Sequence, residues 1–141
     1  MKTSARNQFL GTVKSIKQGP ISAEVVMDIG GGDELVASIT HDSKEHLALA
    51  EGMEVYALIK ASWIIIATDN SLKFSARNRL CGVVARCQEG AVNAEVVIEL
   101  PGGKTLAAIV TNDSIASLGL KQGMHVCALI KASHIILAVA S

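Results

Sequence analysis

The sequence predicts a mainly β protein made of two tandem domains, each with five short strands and one short helix. Three observations predict it. The chain is one unit written twice: Ser4-Ala5-Arg6-Asn7 returns as Ser75-Ala76-Arg77-Asn78, Thr40-x-Asp42-Ser43 as Thr111-x-Asp113-Ser114, and Ile59-Lys60-Ala61-Ser62 as Ile130-Lys131-Ala132-Ser133. The offset is 71 residues at each motif, and roughly half of the aligned positions are identical, which marks an internal repeat. Within each copy, β-branched runs alternate with Gly and Pro punctuation, the pattern of strands and hairpins. Finally, 50% of residues are hydrophobic and only 18% charged. The repeat sets domain boundaries at 1–70 and 71–141. A domain that small buries only about 60% of its unfolded surface, so the repeats are expected to pack on each other or on further chains.

The elements follow in order. Phe9–Lys17 alternates like a strand, and Gly19-Pro20 ends it. Ala23–Ile29 is a Val/Ile/Met run, and Gly30-Gly31-Gly32-Asp33 turns it, as Pro101-Gly102-Gly103-Lys104 does in the second copy. Glu34–Thr40 is the third strand. Asp42–Ala50 reads as a short helix capped by Thr40 or Asp42, with Leu47 inward and Gly52 (Gly123 in the second copy) as its stop. Glu54–Lys60 and Trp63–Thr68 complete the unit. Five strands with a helix between the third and fourth is the order of an OB-like barrel. The linker Asn70-Ser71-Leu72-Lys73 is too short for independent motion of the halves.

Composition narrows the function. The formal net charge is +0, so no basic field steers the chain to nucleic acid. Phe9, Tyr56, Trp63 and Phe74 are a poor supply of stacking platforms for a single-strand binder. Apolar runs extend over a handful of residues, against the ~20 of a membrane span. The first residues lack the apolar core of a secretory leader. Cys81, Cys87 and Cys127 are odd in number and all in the second repeat, which suits a reducing cytoplasm better than a disulfide framework. Cys81 and Cys87, an even number of residues apart on one strand, are expected on one face, packed where the first repeat has Leu10 and Ile16.

The repeated polar residues fall at element ends. Ser4-Ala5-Arg6-Asn7 precedes the first strand, Thr40 and Ser43 sit at the helix start, and Lys60-Ala61-Ser62 joins the last two strands. Arg6 and Lys60 supply two positive charges, Ser4, Thr40, Ser43 and Ser62 supply hydroxyl donors, and Ala61 leaves its own N–H uncovered. Helix N-termini favour anions, and a desolvated oxyanion needs several donors with balanced charge. Any one of these motifs alone is an ordinary cap, turn or surface pair. Their joint retention, while Lys14/Ala85, Asp33/Lys104 and Trp63/His134 drift, points to anion binding, with inherited scaffold as the alternative.

Ser-Ala-Arg-Asn-x-x-x-Gly, Thr-x-Asp-Ser and Lys-Ala-Ser, in this order within about 70 residues, resemble the molbindin (Mop) family, over nearly the whole chain. The resemblance implies two Mop domains and a cytoplasmic protein that binds and stores molybdate, with tungstate as a possible substitute. It implies a homotrimer with ions held between domains of different chains. Ser4, Ala5, Arg6 and Asn7 would face Thr40, Ser43, Lys60, Ala61 and Ser62 of a neighbouring domain. Ser75, Ala76, Arg77 and Asn78 would face Thr111, Ser114, Lys131, Ala132 and Ser133 in the same way. Further sites on a threefold axis are implied, for which Ser22 and Asn93 are the candidates. His41, beside the Thr-x-Asp-Ser motif, is replaced by Asn112 in the second copy. Mop domains also occur fused to a DNA-binding regulator and to a transporter ATPase, but neither a helix-turn-helix segment nor a Gly-x-x-x-x-Gly-Lys loop is found here.

An enzyme is the weaker reading. The cysteines lack Cys-x-x-Cys spacing, His41 and His46 are not spaced for one helix face, and the recurring Glu24 and Glu95 read as lone carboxylates. An OB-type nucleic-acid module is the alternative binding function, against which charge and aromatic content argue. No protein-to-metal coordination is expected: the ion would be enclosed intact by hydrogen-bond donors.

Overall fold

The computed structural model describes residues 2–69 and 71–140, so linker residue Asn70 lies outside the described residues. Each repeat supplies five strands and one helix, as the sequence predicts. The first gives β1 (Asn7–Gln18), β2 (Ser22–Gly30), β3 (Asp33–Thr40), α1 (His41–Leu47), β4 (Glu54–Ile59) and β5 (Ile65–Ala67). The second gives β6 (Asn78–Glu89), β7 (Asn93–Glu99), β8 (Thr105–Thr111), α2 (Asn112–Leu118), β9 (His125–Ile130) and β10 (Ile135–Ala138).

Two antiparallel five-stranded sheets result, in the orders β10-β4-β1-β2-β3 and β5-β9-β6-β7-β8. The last strands are therefore exchanged. β10 pairs with β4, placing Ile136 opposite Leu58, and β5 pairs with β9, placing Ile65 opposite Leu129. The sequence boundary near residue 70 is thus crossed by both sheets, and Lys60-Ala61-Ser62 leads from one sheet into the other. A 3₁₀ turn, Ala61–Trp63, makes this crossing, so the fifth strand starts two residues later than the apolar run suggested. β10 also packs against β3, which curls the first sheet toward a barrel.

β1 turns a corner. Its first half pairs with β4 and its second half with β2, and the register with β2 slips between Val13 and Ser15. β6 slips likewise between Val84 and Arg86. Such a bulge adds one residue to one strand and resets which side chains face inward. Cys81 therefore lies on the outer face, whereas Cys87 packs against the core. The expected common face is lost because the even spacing spans the bulge. The packed-thiol expectation fails for Cys81 in a second way: it is disulfide-bonded to Cys127, its cross-strand neighbour on β9. Cys87 is the free thiol among the described residues.

The inward positions form one continuous core through both repeats, including Val13, Val25, Met27, Leu35, Val55 and Ile59 with Leu80, Val84, Val96, Ile98, Leu106 and Ile130. Each such side chain contributes about 1.5–3 kcal/mol of burial. The helices end earlier than the glycine stops implied. α1 closes at Ala48, which adopts a left-handed φ of 52°, and α2 at Gly119. Gly52 and Gly123 instead shape the turns before β4 and β9. Leu47 packs on the core as expected.

The repeats meet through paired devices. Asp33 and Lys104, which occupy equivalent positions, lie 3.7 Å apart. Lys104 Nζ also donates to Gly30 O at 2.9 Å and Pro101 O at 2.7 Å. Gly31, with φ +65°, sits so close to the other turn that an added Cβ would fall 2.2 Å from Pro101 O. Trp63 and His134, again equivalent positions, stack with ring centroids 4.8 Å apart.

Candidate functional site

The first repeated motif and the lysine turn meet within one repeat. Ser4 and Ala5 enter β1 just where Lys60 leaves β4, because Asn7 pairs with Ile59 in the ladder. Together with Thr3, Leu58, Trp63 and Ile136 they line a cavity of about 270 Å³. In the second repeat Ser75, Ala76 and Lys131 line a cavity of about 330 Å³ with Trp63, Phe74 and His134. Trp63 belongs to both, so the Trp63–His134 stack stands between the two sites. Lys60 Nζ lies 5.6 Å from the Trp63 ring centroid, an attractive cation–π arrangement. Among the described residues, neither Lys60 nor Lys131 has an ion-pair partner.

The hydroxyl pair at the helix start lies in a neighbouring cavity. Thr40 and Ser43, with His46, line about 390 Å³ of space together with Ser133 of the other repeat. Ile136 lines this cavity and the Lys60 cavity alike. Thr40 caps α1: its Oγ1 accepts from the Ser43 N–H at 3.0 Å and donates to Ser43 Oγ at 2.8 Å. The cap consumes a helix N–H but leaves the Ser43 hydroxyl hydrogen unspent. Thr111 and Ser114 repeat the cap in α2. The Ala61–Trp63 turn, carrying Ser62, packs against β8, which ends at Thr111, and the Ala132–His134 turn packs against β3, which ends at Thr40.

Two residue pairs of the motif have other commitments. Arg6 forms an ion pair with Glu95 of the second repeat, and Glu95 also accepts from Arg86 at 3.1 Å. Arg77 forms a two-pronged pair with Glu24 of the first repeat, one prong at 3.0 Å. These arginines are about half exposed, so their pairs are modest in energy, but their charge is already matched. Asn7 and Asn78 are buried, 3% and 2% exposed. Asn78 Nδ2 donates to Val36 O at 2.8 Å and to Ile130 O at 3.2 Å, while its Oδ1 accepts from Val36 N at 2.7 Å. Asn7 does the same with Ala107 and Ile59. Each asparagine thus stitches an edge strand of the other repeat's sheet, in place of a missing neighbour strand.

The structure accordingly gathers Ser4, Ala5 and Lys60 at one place, Ser75, Ala76 and Lys131 at its twin, and Thr40, Ser43 and Ser133 beside the first. Ala61 and Ala132 are buried at the crossings. Ser22 and Asn93 are exposed and stand in register opposite Thr40 and Thr111. His41 Nδ1 accepts from Gln18 Nε2 at 2.7 Å, and the His41 ring lies 3.7 Å from Glu45. Glu24 and Glu95 are the residues sequence reasoning undervalued. Their signal was recurrence in both copies, read as that of isolated carboxylates because the crossing of repeats was unseen. No cluster of His, Cys, Asp and Glu suited to a metal ion occurs among the described residues, and no helix is long and apolar enough to cross a membrane.

Known proteins place this architecture. The TOBE domain model matches residues 3–66 and again 75–137. The molybdenum transport protein ModE of Azotobacter vinelandii is 47% identical over 99% of this chain and 52% of its own length. The molybdenum-pterin-binding protein MopA of Rhodobacter capsulatus is 42% identical over 99% of this chain and 53% of its own. The chain spans about half the length of these curated relatives. A crystal structure of the cytoplasmic molybdate-binding protein ModG, with molybdate bound, superposes with a TM-score of 0.96 at 48% identity, covering 99% of this chain and all of that one.

Proposed function

The chain belongs to the TOBE-domain family, carrying the domain twice, and from that premise we propose that it binds and stores molybdate as an intact oxyanion in the cytoplasm. One observation carries the reading. Each repeat brings an ammonium that has no carboxylate partner among the described residues, Lys60 or Lys131, into a small cavity with the serine and alanine of the first motif. A cation left unpaired in a partly apolar cleft is poised for an anion. The names of the relatives, which speak of molybdenum transport, molybdenum-pterin binding and molybdate binding, support molybdate as that anion and binding over catalysis.

The mechanism is enclosure by donors. Lys60 supplies charge, and Ser4, with hydroxyls such as those of Ser43 and Ser133 across Ile136, supplies O–H donors; Lys131 and Ser75 act likewise in the second repeat. Arg6 and Arg77 orient the entrance strand through Glu95 and Glu24. One lysine balances only half of a dianion, so a second chain is needed to complete the charge and cover the ion. Ile65 and Ile136, 65% and 56% exposed beside the sites, support such covering, and a homotrimer is the assembly proposed. Tungstate, of the same charge and shape, is proposed as a substitute.

Isothermal titration with molybdate, with sulfate as the control, tests the reading. Saturable molybdate heat with little response to sulfate is expected, and Lys60→Ala and Lys131→Ala should each weaken binding by on the order of 2–5 kcal/mol. Unaltered binding in both variants would sink the site. Salt-sensitive binding of an oligonucleotide in place of molybdate would transfer the fold to nucleic-acid recognition.

A further inference from the structure

Another cavity, of about 620 Å³, lies away from the lysine and helix sites. Its size is within the ~300–1,000 Å³ of small-molecule pockets. Both members of the Cys81–Cys127 disulfide line it, with Arg79, Glu99, Pro101 and His125. The placement follows from strand alternation. Arg79, Cys81 and Val83 project on the outer side of β6, and His125 and Cys127 line the same cavity from β9, where Val83 pairs with His125 and Cys81 with Cys127. Cys81 is the exposed partner, whereas Cys127 is 4% exposed. The first repeat has Leu10 opposite Tyr56 at the equivalent positions, so this chemistry belongs to the second repeat alone.

We propose that this cavity is a thiol-exchange site, at which low-molecular-weight amino-acid or peptide thiols open and close the Cys81–Cys127 bond. An incoming thiolate attacks the Cys81 sulfur, the exposed one. The S–S bond breaks, and its electron pair leaves with Cys127 Sγ, which takes up a proton. A second thiolate attacks the mixed disulfide and releases the Cys81 thiolate, which is protonated in turn. Two small thiols are oxidised to their disulfide and the protein pair is reduced to two thiols, so the exchange balances. Glu99 on the same wall offers an acceptor for the ammonium group that amino-acid and peptide thiols carry. Cys87 does not compete as a resolving thiolate, because burial and then Glu89 push its thiol up, and it packs on the core.

The full chain is incubated with glutathione, or with 2-mercaptoethanol as an uncharged thiol, and followed by intact mass and peptide mapping. The folded protein should gain two hydrogens, passing through a glutathione adduct on Cys81, severalfold faster with glutathione than with 2-mercaptoethanol. Glu99→Gln and Glu99→Ala should each erode that preference. Cys127→Ser, treated with glutathione disulfide, should become modified at Cys81, whereas Cys81→Ser should resist modification at Cys127. Reduction only after denaturation, adducts confined to Cys87, or three persistent free thiols under glutathione disulfide would each overturn the site. Equal rates for the two thiols in parent and variants would overturn the ligand class.

Discussion

Removing the Asn78 amide tests how the repeats are joined. Alanine at this position leaves Val36 N–H and Val36 C=O without the partners they hold at 2.7 and 2.8 Å, and strips a weaker bond at 3.2 Å from Ile130 O. An unsatisfied buried group costs about 1–3 kcal/mol. Val36 is half-buried, so water recovers part of that loss, and the two strong bonds together give about 2–4 kcal/mol. Against a typical stability of ~5–15 kcal/mol, this is a large fraction. Urea unfolding of the parent, Asn78→Ala and Asn7→Ala reads it as a fall in midpoint with an unchanged slope. Asn7, which grips Ala107 and Ile59 in the same way, should cost a similar amount. Asn78→Leu separates causes: similar in volume but without polar atoms, it should be as damaging as alanine. A loss in Asn78→Ala below about 0.5 kcal/mol, the scale of ordinary surface changes, would refute the stitching role. Recovery in Asn78→Leu would assign the effect to packing instead.

Other outcomes follow from the same contacts. Lys104→Asp should set two carboxylates against each other and orphan Gly30 O and Pro101 O, lowering the thermal midpoint by the equivalent of about 1–3 kcal/mol; adding Asp33→Lys should restore part of it. Gly31→Ala should destabilise by more than ~1 kcal/mol, since its Cβ would meet Pro101 O at 2.2 Å with φ at +65°, and differential scanning calorimetry would show it. Cys87, its thiol raised by burial and by Glu89, should stay protonated at neutral pH. Its alkylation by iodoacetamide in the folded chain should therefore climb only at a pH above that of a free cysteine, whereas equal rates at neutral pH would contradict its packing.

The strand pattern, turns and caps were legible in the sequence because they are local. Thr40 and Thr111 cap helices, Leu47 faces the core, and the glycine turns sit where hairpins need them. Partnership between copies was not legible, because a repeat detected by alignment does not say which copy a strand joins. The exchange of β5 and β10 therefore came only with the structure, and with it the meaning of several positions. Asp33 and Lys104 looked like drift, yet residues at equivalent positions meet each other across the junction, where two identical charges would repel and an opposite pair attracts. Glu24 and Glu95 looked idle because Arg77 and Arg6, with which they pair across the junction, lie in the other copy. Asn7 and Asn78 looked like ligand donors, but an amide matches both groups of a strand edge. The even spacing of Cys81 and Cys87 misled for a local reason, since a bulge changes the parity of a strand without an obvious mark in its sequence.

The traded last strands bear on how such a fold is assembled at low abundance. A lone repeat would present β4 without its outer neighbour and would have to recruit that strand from another molecule, an encounter whose yield falls with dilution. Joined through residues 70–73, the donor strand meets its acceptor at an effective concentration in the millimolar range typical of short tethers. The first step of assembly thus becomes independent of how many copies a cell makes, and only association between whole chains remains subject to mass action. Damage is shared on the same terms: a lesion in β10 weakens the sheet of the opposite repeat, so neither half can be lost or altered without its twin registering it.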